Sequence, residues 1–155
     1  MPYNSLVVTL ASLRKVVFMA LFQRKPYKMN SGGIARYKID CESLTDEDFA
    51  TLAWLIAQKG DIRAVQGVSK NGRRLAEHLA PHLSDDGVRL IVDDVLTTGA
   101  SMEAAKLDIG WHDALGVVIF SRGPCPRWVM PIFSMEWINT ADEFPTPEQE
   151  AASAR

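Results

Sequence analysis

The chain has 155 residues, which suits one domain with a single buried core. Its 47% hydrophobic and 23% charged residues, with a formal charge of −2, do not fit a disordered chain or a polycationic nucleic-acid binder. Cys41 and Cys125 lie far apart and form no Cys-x-x-Cys, which argues against a disulfide framework or zinc knuckle and fits a reducing, cytoplasmic setting.

The charge is unevenly placed. Seven basic residues and no acid precede Asp40, whereas from Glu136 onward five acids stand against Arg155 alone. Neither end is read as an arm for nucleic acid. Residues 6–22 are apolar, but Arg14 and Lys15 interrupt them, and neither half approaches the roughly 20 apolar residues that a bilayer requires. No membrane segment is expected. The stretch is basic and acid-poor like a transit peptide, and Met19 or Met29 is an alternative start. We read residues 1–26 as an N-terminal helix or extension, amphipathic and packed on the domain or on a partner subunit.

Residues 27–40 turn at Ser31-Gly32-Gly33 and then alternate through Tyr37 and Ile39, a hairpin pattern. Residues 45–58 predict a helix with Thr45 as cap, acids in its first turn, and Phe49, Leu52, Ala53 and Ile56 on one apolar face. Residues 64–68 predict a buried strand. It runs into Ser69, Lys70, Asn71, Gly72 and Arg73, a polar and basic turn that is either an anion cradle or a solvated first turn. A helix is expected over 73–83, burying Leu75, Ala76, Leu79 and Leu83. His78 and His82 stand four apart without an evident third ligand, so they are read as surface residues. Only Ser84-Asp85-Asp86-Gly87 then separates this helix from the next strand.

Leu90, Ile91 and Val92 are consecutive, as in a central parallel strand buried on both faces. Asp93 and Asp94 stand at its carboxyl end, the edge where ligands bind in open α/β sheets. Thr97, Thr98 and Ser101 supply hydroxyls, Gly99 permits close backbone approach, and a helix is expected from Ala100. Such a turn favours an anion through its free N–H groups and the helix dipole. The two acids would repel that anion, so they should face hydrogen-bond donors such as a diol. Phosphate at one end and vicinal hydroxyls at the other describe a ribose 5-phosphate. The plainer reading makes the acids helix caps and Thr-Thr-Gly an ordinary turn. Gly-Lys-Ser/Thr and Gly-x-Gly-x-x-Gly do not occur in the sequence, and Val95 after the acid pair leaves no Asp-x-Asp nucleophile motif at this strand end. Residues 114–120 predict another buried strand, ending near Arg122. Residues 129–137 predict a last strand whose Pro131 makes it an edge. Residues 139–155 read as a loose acidic tail.

The run from Val92 through Asp93, Asp94 and Thr97-Thr98-Gly99 to Ser101 resembles, at every defining position, the phosphoribosyl pyrophosphate signature of the type I phosphoribosyltransferases. The resemblance implies an α/β fold, a parallel sheet with helices on both faces and a small N-terminal hood, with residues 27–138 as the domain. It implies that Asp93 and Asp94 hold the ribose hydroxyls and favour positive charge on the ring. Val95, Leu96, Thr97, Thr98, Gly99, Ala100 and Ser101 would hold the 5-phosphate. Ser69, Lys70, Asn71, Gly72 and Arg73 would hold pyrophosphate, although Ser69, Lys70 and Asn71 stand where the family often has Pro, Arg and Gly. Tyr27, Met29, Ser31, Gly32 and Tyr37 are similar in kind to the hood of orotate phosphoribosyltransferases, with Ala35 in place of a serine. This points to Lys28, Ser31 and Arg122 as base contacts. Magnesium would arrive on substrate oxygens with no direct protein ligand. The implied partners are phosphoribosyl pyrophosphate and a nucleobase, orotate-like or other, with no nucleic acid or membrane and a homodimer as the candidate assembly. The family usually carries a long basic lid where this chain has residues 84–87. A phosphoribosyltransferase and a non-catalytic module that binds the same ligand or a nucleotide therefore both stay open.

Overall fold

The computed structural model describes residues 19–29, 31–139 and 152. The expectations for residues 1–18 and for most of the acidic tail lie outside that range. No helix among the described residues is long and apolar enough to cross a membrane.

The chain opens with four two-residue strands. β1 (Phe22–Gln23) pairs antiparallel with β4 (Lys38–Ile39), and β2 (Tyr27–Lys28) with β3 (Ile34–Ala35). Gly32, at φ +93°, makes the expected turn, closed by Met29 N–H donating to Gly33 O at 2.8 Å and Gly32 N–H to Met29 O at 2.9 Å. The hairpin element therefore begins at β1, earlier than Tyr27. Its base is tied by buried Asp40, which accepts from Lys38 Nζ at 2.8 Å and Gln23 Nε2 at 3.1 Å. The Lys38 ammonium holds the Asp40 carboxyl below its usual range against the opposing effect of burial.

Helix α1 (Asp46–Ala57) starts on a reciprocal capping box. Asp48 N–H donates to Thr45 Oγ1 at 3.1 Å, and Thr45 N–H to Asp48 Oδ2 at 2.7 Å. It buries Phe49, Leu52, Ala53 and Ile56 as the spacing predicts.

The core is a four-stranded parallel sheet in the order β5 (Ile62–Gly67), β6 (Val88–Leu96), β7 (Leu115–Ser121) and β8 (Val129–Ser134). Side chains alternate between its faces. Leu90, Val92, Val117 and Ile119 join α1 and α2 (Lys70–Leu79) in one core cluster, while Ile91 and Val118 join Met102 of α3 (Ala100–Ile109) in the other. Helices on both faces explain the unbroken apolar run 90–92. Pro131 lies in β8, the edge strand, where a missing N–H is tolerated.

Several element boundaries differ from the sequence reading, most of them by one or two residues. β6 continues past the acids, because β7 keeps pairing with it through Asp93↔Val118, Val95↔Phe120 and Leu96↔Ser121. Helix α2 begins at Lys70, three residues early, because Ser69 caps it, and it stops at Leu79 before Pro81, with a 3-10 turn over Ala80–His82. β8 ends at Ser134, and Glu136–Asn139 forms a 3-10 turn.

Residues 83–87 are fastened beside the starts of β5 and β6: Ser84 N–H donates to Ile62 O at 2.8 Å and Val88 N–H to Asp61 O at 3.0 Å. This is the sheet edge opposite the two polar loops.

Two substitutions probe this framework. Thr45→Ala removes one arm of the exposed capping box and should lower unfolding free energy by about 1 kcal/mol. Gly67→Ala should cost clearly more, because its Cβ would lie 2.5 Å from backbone atoms of Gly72 and Arg73, where α2 crosses the strand end. Chemical denaturation compares the two, and equal losses would contradict the close approach.

Candidate functional site

At the carboxyl edge the β5 loop folds directly onto the end of β6. Val68 N–H donates to Val92 O at 3.0 Å, so the chain leaving β5 is still held to its neighbour when it reaches Ser69. Ser69 N–H then donates to Asp93 Oδ1 at 3.2 Å, and Asp94 N–H donates to the same oxygen at 2.9 Å. Asp94 Oδ1 accepts from Val95 N–H at 2.7 Å and from Ser69 Oγ at 3.3 Å, while its Oδ2 accepts from Asn71 Nδ2 at 3.0 Å. Ser69 Oγ also accepts from Gly72 N–H at 3.0 Å, capping α2. A Cβ on Gly72 would sit 2.7 Å from Val92 O and 2.9 Å from Asp93 Oδ1. Only glycine lets the first turn of α2 rest on the acids.

The two carboxylates thus have different environments. Asp93 is 6% exposed, and its acidity is weakened: its pKa is pushed up to about 6, chiefly by burial. Hydrogen bonds from Ser69 oppose that rise and the charge of Asp94 adds to it. Asp94 is half-buried. Of the expected pair, it is the more exposed acid.

The loop after β6 has the expected form. Gly99 takes φ +85° at the N-cap of α3 and offers no side chain to the first-turn N–H groups, which leaves them suited to an anion. Thr98 Oγ1 accepts from Ala100 N–H at 3.3 Å, and Ser101 is exposed on the first turn. Val95 and Leu96 still belong to the strand, with Leu96 buried in the α3-side core, so any ligand contact there falls to the backbone.

A cleft of about 340 Å³ opens between the hood and this loop. Met29, Ser31, Ile34, Ala35, Arg36 and Tyr37 line one side, and Thr97, Thr98, Arg122 and Gly123 the other, with Ile138 at the rim. Arg122 is 7% exposed; its guanidinium donates to Tyr37 O at 2.9 Å and lies over the Tyr37 ring at 4.4 Å. Its backbone N–H donates to Leu96 O at 2.9 Å. Sequence reasoning placed Ser31, Arg122, Thr97 and Thr98 in one site, and the cleft brings them together. Lys28 is exposed on β2 and does not line it. Arg36 was not foreseen: a lone arginine between two short strands carries no spacing signal.

The basic side chains of the first loop diverge. Lys70 Nζ pairs with Glu42 at 3.0 Å, Arg73 is exposed with Nη1 donating to Val68 O at 3.4 Å, and Arg74 binds Leu44 O and Asp46. His78 stacks on Phe49, and its Nδ1 lies 2.8 Å from Arg74 O. Among the described residues no group of three or more His, Cys, Asp or Glu side chains is placed to hold a metal. The donors of the Ser69 loop already engage the acid pair.

The weakened acidity of Asp93 has a signed consequence. Between the ordinary carboxylate range near 4 and a folded pKa of about 6, the native state holds a proton that the unfolded chain has lost, so stability falls as pH rises through that window and is level above it. The loss is at most about 3 kcal/mol, at about 1.4 kcal/mol per pH unit. Asp93→Asn keeps an acceptor for Ser69 N–H, so it should flatten the profile between pH 4 and 6 and raise stability at pH 7. Denaturant titrations across that range check it; an unchanged slope would assign the pH dependence elsewhere.

No protein-family model matches the chain. No curated protein matches it in sequence. Solved structures do. Orotate phosphoribosyltransferase from Aeropyrum pernix is similar at a TM-score of 0.57 and 18% identity, over 74% of this chain and 88% of that one. The orotate phosphoribosyltransferase of Mycobacterium tuberculosis H37Rv gives 0.53 and 15%, over 74% and 89%. Leishmania donovani UMP synthase gives 0.58 and 13%, over 84% of this chain but only 38% of that longer one. Such identities speak to architecture: the chain has a type I phosphoribosyltransferase-like fold, like that of these orotate phosphoribosyltransferases.

Proposed function

We propose that this chain is a phosphoribosyltransferase, moving a 5-phosphoribosyl group between phosphoribosyl pyrophosphate and a nucleobase. The observation that carries this reading is the joining of two anion loops through one acid pair: the Ser69 loop is hydrogen-bonded onto Asp93 and Asp94, and the Thr97 loop follows directly from them. Phosphoribosyl pyrophosphate has two anions with a diol between them, which is the pattern those loops present.

In the forward direction the bond between the anomeric carbon and pyrophosphate breaks, and its electron pair leaves with pyrophosphate. A base nitrogen gives its pair to the carbon, and any proton it carried passes to water or to the leaving group. The ring becomes oxocarbenium-like on the way, as in glycoside cleavage. Asp94 accepts from a ribose hydroxyl and favours that positive charge, while Asp93 fixes the loop from below. Thr97, Thr98 and the first turn of α3 hold the 5-phosphate. Lys70, Arg73 and the first turn of α2 face the pyrophosphate. Magnesium bound to pyrophosphate oxygens would supply further charge neutralisation there. Arg122, with Ser31 and Tyr37 across the cleft, suits a flat acceptor bearing an acidic group, hence an orotate-like base. The two free cysteines suit a cytoplasmic enzyme, and a homodimer is the assembly we infer.

One observation favours a second reading, a module that binds phosphoribosyl pyrophosphate or a nucleotide without turnover. Residues 83–87 are tied to the sheet edge opposite both loops, so they do not close over a leaving group to exclude water.

Incubation with magnesium, phosphoribosyl pyrophosphate and a panel of bases, read as pyrophosphate release, separates these. Release with one base identifies the acceptor, binding without release supports the module, and absence of binding rejects both. Asp94→Asn should weaken phosphoribosyl pyrophosphate binding by about 1.5–3 kcal/mol, the worth of a charged hydrogen bond. Unchanged affinity in calorimetry would remove Asp94 from the site.

A further inference from the structure

We infer that Asn71 is a positioning residue for Asp94 and does not bind pyrophosphate through its side chain. This rests on the phosphoribosyl reading of the site. Asn71 occupies the second position of α2, where an amide would ordinarily face water, yet it is 7% exposed. Its Nδ2 donates to Asp94 Oδ2 at 3.0 Å, and its Oδ1 is buried with no hydrogen-bond partner. The amide's direction follows from charge: turned over, it would press a carbonyl oxygen against the Asp94 carboxylate. A buried acceptor is therefore left unsatisfied so that a donor can point at Asp94.

Asp94 has about four acceptor positions on its two oxygens. Val95 N–H and Ser69 Oγ occupy Oδ1, and Asn71 occupies one side of Oδ2. The carboxylate plane is thereby fixed, and a free position on Oδ2 is left for a ligand hydroxyl. Both donors of Ser69 are committed, its N–H to Asp93 and its hydroxyl to Asp94, and the hydroxyl also accepts from Gly72 N–H. An anion arriving at this loop meets Lys70, Arg73 and backbone N–H groups, while the Asn71 amide is already turned inward.

The test is calorimetry on the full chain with two separate probes, ribose 5-phosphate and magnesium pyrophosphate, comparing wild type with Asn71→Leu. Leucine keeps the bulk and removes both the donor and the orphaned acceptor. Asn71→Ala serves as a second variant, and each is checked by thermal melting. Positioning predicts about tenfold weaker ribose 5-phosphate binding, with magnesium pyrophosphate within about twofold of wild type. It also predicts a smaller preference for ribose 5-phosphate over 2-deoxyribose 5-phosphate, a change that general loosening would not single out. Loss of pyrophosphate binding with the ribose preference intact overturns the assignment, as does equal weakening of both probes in both variants. If wild type binds neither probe, the phosphoribosyl reading itself fails and takes this one with it. Wild-type binding with the wrong pattern in the variants overturns only the role of Asn71.

Discussion

The Ser69 loop and the acid pair of β6 hold each other, and the rest of the site depends on that contact. Ser69 engages both acids, its N–H on Asp93 and its hydroxyl on Asp94, while the same hydroxyl caps α2. Without the acids the α2 N-terminus would lose the acceptors beneath it; without Ser69 each acid would lose one of its donors. Gly67 and Gly72 make the contact possible by letting backbone lie where a Cβ would collide. One strand end and one helix start thereby become a single rigid corner, from which both anion loops emerge in fixed relation.

Much of this was legible in the sequence because it was written in spacing. The α1 cap and its apolar face, the buried run 90–92 and the turn at Gly99 are local patterns with local causes, and they appear where expected. What could not be read were consequences of long-range pairing. β6 extends through the acids only because β7 continues beside it, and α2 begins at Lys70 only because Ser69 finds both a cap role and the acids of another strand. The diol inferred from two unpaired carboxylates was only part of the account, since protein donors already meet them. Likewise, Arg122 could be placed at the sheet edge from sequence, but not its contact with Tyr37, which lies 85 residues away.

That Arg122 contact ties the hood to the sheet. The guanidinium reaches the Tyr37 carbonyl and covers its ring, while its own backbone N–H is bound to the end of β6. The small strands of the hood have little area of their own to bury, so a cation over an aromatic ring and a charged hydrogen bond matter more here than they would within the core. The cleft between hood and loop is thus set from one side by Arg122 and from the other by the Gly32 turn.

The departures from ordinary packing collect at one end of the molecule. Among the described residues, the buried side-chain atoms without partners are Asn71 Oδ1 and Ser121 Oγ, the first in the acid brace and the second in the residue before Arg122. The carboxyl raised by burial, Asp93, lies in the same corner. At the hood base, by contrast, the buried acid Asp40 is neutralised by Lys38 and multiply hydrogen-bonded. At the carboxyl edge of the sheet, burial weakens the acidity of Asp93 despite donors from Ser69 and Asp94, and Asn71 turns its donor to Asp94 while its own Oδ1 is left without a partner, departures of the kind that polar sites concentrate.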